Sequence, residues 1–286
     1  MICPECGGRN GHLFGCSKVD PAFLAPAPVE FVTVEPLAGV DERRRLLAFP
    51  LVFVGAWLLV STDLGGFIGR TFFGMWLHEL GHAVASWLCG RFAVPLPWVT
   101  YTSGHSWLVD LAWLGGVPAL FVFGRRRGSR VWQGLAVGLA VLAVPAHLLT
   151  PTQQEAFFTF AGEGGAMLFG AALASTFLLP PTVKPLQGGL RLGWLVIGAI
   201  AWADATHLWV LARRDPANLP FGLENGMESD ATKLVDRFHW AEDVMISRYL
   251  SLGAACLVAV LVAWAWALRR ATIAAPPTPA RSRPGP

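Results

Sequence analysis

"WLHELGHAVASWLCG", Trp76 to Gly90, sets two histidines and a glutamate inside a segment suited to lipid. His78, Glu79 and His82 spell H-E-x-x-H. Residues four apart on an α-helix point the same way, so the two imidazoles can meet at one metal ion while Glu79 projects to the side. In such chemistry the glutamate is not a ligand: it takes a proton from a water that the metal has acidified and passes one to the leaving amine. Between Arg70 and Arg91 the only formally charged side chain is Glu79. An ionisable group at membrane depth costs about 2.5–3.5 kcal/mol on insertion scales, so its presence there asks for a use. The structural alternative is a pair of hydrogen-bonded histidines with a protonated or ion-paired glutamate between helices.

The rest of the chain supports a membrane setting. Of 286 residues, 54% are apolar and only 14% charged, and the mean hydropathy is +0.49; a soluble domain carries about 25% charged residues. Seven apolar segments approach the roughly 20 residues that cross a bilayer: 46–62, 67–90, 105–123, 131–149, 156–179, 190–211 and 250–268. The expected fold is an all-α polytopic membrane protein of six to seven transmembrane helices. Residues 1–16 form a cysteine-rich motif, 17–45 a proline-rich linker, 46–270 the membrane domain with a polar loop at 212–249, and 271–286 a disordered basic tail. The first residues lack the apolar core of a signal peptide. The net charge of +3 is spread over loops and tail, so no nucleic-acid partner is expected; the lipid bilayer is.

Lys and Arg in short loops orient such proteins with the positive loops in the cytoplasm. Arg43–Arg45, Arg125–Arg127 with Arg130, Lys184 with Arg191, and Arg269 with Arg270 are four such clusters, and both termini are expected to be cytoplasmic. Seven strictly alternating spans would put the Arg125 cluster outside. The region 91–123 is therefore expected not to contribute a full odd crossing: "RFAVPLPWVTYTSGH" reads as an extended hairpin, and "GGVP" at Gly115–Pro118 as a helix break.

"HELGHAVASWLCGRFAVP" resembles the core of the site-two intramembrane zinc proteases, in which H-E-x-x-H on a membrane helix is followed by a short β-like element. The resemblance covers about Phe72 to Thr100. It implies a zinc metallopeptidase that hydrolyses peptide bonds of membrane-protein or membrane-proximal substrates. His78 and His82 would hold one catalytic zinc, and Glu79 would act as general base. The family adds an aspartate from a motif resembling N-x-x-P-x-x-x-L-D-G. Here the nearest string is "NLPFGLENG", Asn218 to Gly226, with Glu224 in place of the aspartate and the spacing one residue short.

Several other residues compete for the third ligand. Asp204 and His207 in "AWADATHLWVL" share a helical face; Glu163 in "AGEGGAMLFG" is an intramembrane acid flanked by small residues. The order is His207, then Asp204, Glu224, Glu163 and Asp230. A polar clamp between helices is the equal alternative for the Asp204–His207 pair. If no third ligand completes the site, the chain reads as a non-catalytic membrane adaptor with a degenerate metal centre.

At the N-terminus, Cys3, Cys6, His12 and Cys16 give C-x2-C-x5-H-x3-C, a zinc-knuckle-like set able to close a structural zinc site that recruits or tethers a protein partner. In the polar loop, "TKLVDRFHW" carries helical apolar spacing at Leu234, Val235 and Phe238. It is expected on the non-cytoplasmic side, either as a gating lid or as an amphipathic helix resting at the interface, with Trp240 as anchor; the interfacial helix is the preferred reading.

Overall fold

The computed structural model describes residues 42–179, 189–224 and 226–273, with side chains from Leu46 onward, Glu224 excepted. The cysteine-rich motif (Cys3, Cys6, His12, Cys16), most of the linker, Lys184 and residues 274–286 of the tail lie outside the described residues; residues 271–273, expected in the tail, are the end of the last helix. All seven apolar segments fold as helices. In chain order these are α1 (Glu42–Val60), α2 (Asp63–Ile68) running through a π-helical stretch Gly69–Gly74 into α3 (Met75–Leu88), α4 (Trp107–Arg126), α5 (Arg130–His147), α6 (Pro151–Ser175), α7 (Leu190–Arg214) and α9 (Glu242–Ile273). The short helix α8 (Asp230–Asp236) lies in the polar segment between α7 and α9.

Among the described residues, four helices are long and apolar enough to cross a membrane: Trp107–Arg126, Pro151–Leu178, Leu190–Arg214 and Glu242–Ala271. A fifth span results if Leu46–Val60 and Asp63–Leu88, bent by 108° at their junction, count as one. Thr62 makes that corner: its hydroxyl accepts from the Gly65 amide and caps the second helix.

Two expectations are corrected here. Gly115–Pro118 does not break the helix; α4 runs unbroken from Trp107 to Arg126. A proline costs an intrahelical hydrogen bond. In an apolar environment, however, no competing partner rewards unwinding, so apolar residues on both sides keep the helix intact. Nor does 91–123 lack a full crossing: α4, most of which lies within it, is long and apolar enough to span a membrane, and the sharp bend falls before α3 instead. The hairpin expected in 91–105 is present, with β1 (Arg91–Leu96) antiparallel to β2 (Val99–His105). Gly90, at φ +73°, turns the chain out of α3 into it.

The core forms where α1, α6, α7 and α9 meet. Phe49, Phe53 and Trp202 form one aromatic run, and Tyr249 stacks between Phe160 (4.4 Å) and Trp209 (4.0 Å) in another. Helices α4 and α5 pair with each other and expose Leu111, Leu114, Val137 and Val141, a surface suited to hydrocarbon. A small cluster of Leu88, Cys89, Ala143 and Ala146 joins them to α3.

Helices α3 and α6 pack backbone to backbone. A Cβ placed on Gly81 would overlap the Ala161 carbonyl and come within 2.9 Å of Gly165 Cα. Small residues let two backbones approach in this way where no hydrophobic effect drives helices together. Gly81→Ala is therefore expected to destabilise the protein by about 1–3 kcal/mol through overpacking, read as a lower midpoint of thermal unfolding in detergent. Gly115→Ala, where nothing lies within 4 Å of the new methyl, should leave the midpoint unchanged or raise it.

Candidate metal centre

Helix α3 carries His78 and His82 one turn apart, both buried at 6% exposure. Their Nε2 atoms stand 3.1 Å from each other. The third residue of the cluster comes from the polar segment: Asp230 Oδ2 lies 3.4 Å from His78 Nε2 and 3.0 Å from His82 Nε2. Among the described residues, this trio is the one group whose donor atoms converge closely enough to hold a metal ion.

Four observations test whether an ion fits. First, the donor separations match one tetrahedral centre, since ligands at about 2.0–2.1 Å from a zinc ion stand roughly 3.3 Å apart. Second, His82 Nδ1 lies 2.9 Å from the Phe158 carbonyl, which only accepts. The neutral ring therefore carries its proton on Nδ1 and presents a lone pair at Nε2, as a metal-binding histidine does. Third, Asp230 Oδ2 is buried without a hydrogen-bond partner, while Oδ1 accepts from Lys233 Nζ at 3.2 Å. A carboxylate oxygen aimed at two imidazole nitrogens needs a cation among them, a metal or protons. Fourth, helix α6 crosses the pair at Gly162, where a Cβ would sit 2.6 Å from His82 Nε2 and 2.7 Å from His78 Nε2. Any larger residue would fill the place an ion takes.

The electrostatics agree with an anionic third donor. Burial opposes ionisation of Asp230, but the two histidines beneath it prevail and hold its carboxyl well below the usual carboxylate range.

Behind His78 stands a run of charges. Its Nδ1 makes no hydrogen bond, and Glu163 Oε1 is 3.5 Å away, an ionic contact. Glu163 accepts from Arg70 at 2.5 Å, and Arg70 reaches Asp204 Oδ2 at 3.7 Å. The π-helical stretch presents Arg70 to both acids, and Gly74 within it makes room for Asp204: a Cβ there would lie 3.1 Å from Oδ2. On the other side, Glu79 is buried at 5% exposure, and Thr100 of β2 donates to its carboxylate.

The candidates for the third ligand separate by place. Asp230, last in the sequence-based order, meets the histidine pair. His207, first in that order, does not: its Nε2 is 3.5 Å from Ser61 Oγ, and its ring packs edge-on against Trp57. Ser61 lies in the turn between α1 and α2, so His207 meets that corner. Asp204 and Glu163 pair with Arg70. The Glu224 backbone lies in the two-residue strand β3 (Leu223–Glu224), paired with β4 (Met227–Glu228), and its side chain is outside the described residues.

The polar segment is not an interfacial helix resting on the surface. Ala231 and Leu234 are buried at 3% and 0% exposure, and they pull α8 into the core. Ser229 caps α8 by accepting from the Thr232 amide, which fixes Asp230 as its first residue. The signal available in the sequence was this serine cap before an apolar pair; hydropathy pointed elsewhere, to acids inside the spans. Arg70 was legible in principle as the partner that an intramembrane acid requires. Gly162 and the Phe158 carbonyl had no sequence signal.

No protein-family model, curated protein or solved structure matches the chain.

Metal content tests the trio. In full-length chain whose Cys3, Cys6 and Cys16 are changed to serine, about one zinc per chain is expected. Asp230→Asn should weaken zinc binding by more than Glu163→Gln, whose loss is expected at about 10–100-fold. His207→Ala should change nothing. Equal loss in His207→Ala and Asp230→Asn, read by competition with a zinc chelator, would remove Asp230 from the centre.

Proposed function

We propose that the chain is an intramembrane zinc metalloprotease that hydrolyses peptide bonds of membrane-associated substrates, with His78, His82 and Asp230 as metal ligands and Glu79 as general base. The observation that carries this reading is the convergence of two imidazoles and an orphaned carboxylate oxygen, with a buried, hydrogen-bonded glutamate following His78 on the same helix.

A zinc ion held there supplies Lewis acidity and makes water nucleophilic near neutral pH. The residues of the chain do the rest. The Phe158 carbonyl fixes the His82 tautomer, and Glu163, itself held by Arg70, faces the outer nitrogen of His78. Glu79 takes the proton of the attacking water and returns one to the departing amine, the transfer that splits the amide without releasing an unstable anion. Gly162 keeps the α6 backbone close while leaving the ion's place open.

Three donors and a separate base favour an enzyme over the non-catalytic adaptor. An adaptor with a degenerate centre has no use for a carboxylate buried next to the ligands, where a charge is costly.

The arginine clusters support a matching topology. With the bent pair as one crossing and α5, also apolar, as another, six crossings put Arg43–Arg45, Arg125–Arg130, Lys184 with Arg191, and Arg269 with Arg270 on the cytoplasmic side. Both termini are then cytoplasmic, and the segment bearing Asp230 faces the opposite side. The N-terminal Cys3, Cys6, His12 and Cys16 would bind a second, structural zinc and recruit a protein partner.

The test compares wild type with Glu79→Gln, each in its native membrane, by quantifying the termini of membrane proteins. Glu79→Gln should keep its zinc and lower cleavage by about 10²–10⁴-fold, the usual contribution of a general base. Unchanged cleavage, or a wild-type membrane domain without zinc, would defeat the proposal.

A further inference from the structure

The Glu79 carboxylate makes a single side-chain hydrogen bond among the described residues, and its donor is Thr100: Oγ1 lies 2.6 Å from Glu79 Oε2. That length lies within the range of a hydroxyl donating to an oxygen. The same Oγ1 is 2.8 Å from the Glu79 backbone carbonyl. A threonine hydroxyl carries one proton. A carbonyl inside a helix already accepts from the amide four residues on, whereas Oε2 has no other donor, so the proton serves the carboxylate.

The hairpin is built to hold that hydroxyl in place. Alternation along β2 turns Thr100 and Thr102 inward while Val99 and Tyr101 face out. Thr100 pairs with Pro95 across the ladder, two residues from the turn. On the other strand, Trp87 Nε1 donates to the Ala93 carbonyl at 3.0 Å, tying β1 to the end of α3. Ala93 itself is buried at 3% exposure. The hairpin is thus fastened to the metal-bearing helix at both strands, and β-branching limits the rotamers of Thr100.

We propose that Thr100 is a positioning residue for the general base: by holding Oε2 it fixes the carboxylate plane and leaves Oε1 as the oxygen that receives the proton. The proposal rests on the metalloprotease reading, since it assigns Thr100 a part only if Glu79 is the base. A purely structural threonine would need the backbone carbonyl alone; the shorter contact to the side chain is what the structural role leaves unexplained.

The experiment uses full-length protein with Cys3, Cys6 and Cys16 changed to serine as the wild-type background, in detergent micelles, with the metal centre loaded with Co(II) and acetohydroxamate as the probe. A hydroxamate chelates the metal and gives up a proton to the neighbouring carboxylate, so its affinity reads the placement of Glu79 without needing a substrate. Thr100→Val is expected to take up Co(II) as wild type does but to bind acetohydroxamate about tenfold more weakly, the loss of one charge-assisted hydrogen bond. Thr100→Ser should restore the affinity to within about twofold, because the hydroxyl is back. Wild-type affinity in Thr100→Val overturns the proposal. So does loss of Co(II) in that variant, or a serine variant as weak as the valine, since either marks Thr100 as a support of the fold. Glu79→Gln separates the two levels: if it binds acetohydroxamate as tightly as wild type, or if wild type takes up no Co(II), the metal-and-base reading falls and Thr100 with it.

Discussion

Helices α3 and α6 touch backbone to backbone, and the centre depends on that contact. Gly81 and Gly165 remove the side chains that would hold the two helices apart, and Gly162 does so directly over the histidine pair. At this separation the Phe158 carbonyl reaches His82 and Glu163 reaches the outer nitrogen of His78. A helix one methyl farther away would leave both imidazoles free to rotate. Packing here is thus also orientation: the small residues that let the helices associate set the direction in which the two Nε2 lone pairs point.

Around that contact the chain buries charge that lipid alone would not tolerate. Arg70 stands between Glu163 and Asp204, so one cation answers two acids. Asp230 enters from outside the spans with Lys233 on one oxygen and the histidines before the other. Each of these acids has a named partner, and Tyr249 and Trp209 of the aromatic stack line the same small cavity as Arg70, Glu163 and Asp230. That stack closes the core beside the site. The small cavity between Arg70, Glu163, Asp230 and Tyr249, about 10 Å³, has room for no more than one water.

What could be read from the sequence was local. His78, Glu79 and His82 are fixed by helical periodicity within five residues, and the helical segments by apolar length. The hairpin after α3 was legible from prolines and β-branched residues. The third donor was not. Ranking the candidate ligands by their place in apolar runs favoured His207 and Asp204, which meet Ser61 and Arg70 instead. Asp230 comes from a polar stretch whose only marks are the Ser229 cap and the buried pair Ala231 and Leu234. A tertiary approach of that kind leaves no period to detect. The helix through Gly115–Pro118 was misread for a related reason: turn chemistry learned in water loses its force where no water competes for the backbone.

The order of the donors along the chain has a consequence for biosynthesis. His78 and His82 emerge early, in the second apolar segment, while Asp230 follows the sixth. Until α7 is inserted and α8 has docked, a nascent chain carries two histidines and a glutamate but no complete centre. The centre gains its third donor only when nearly all of the fold is in place, so the activity proposed above would stay silent while the chain is still among unfinished membrane proteins.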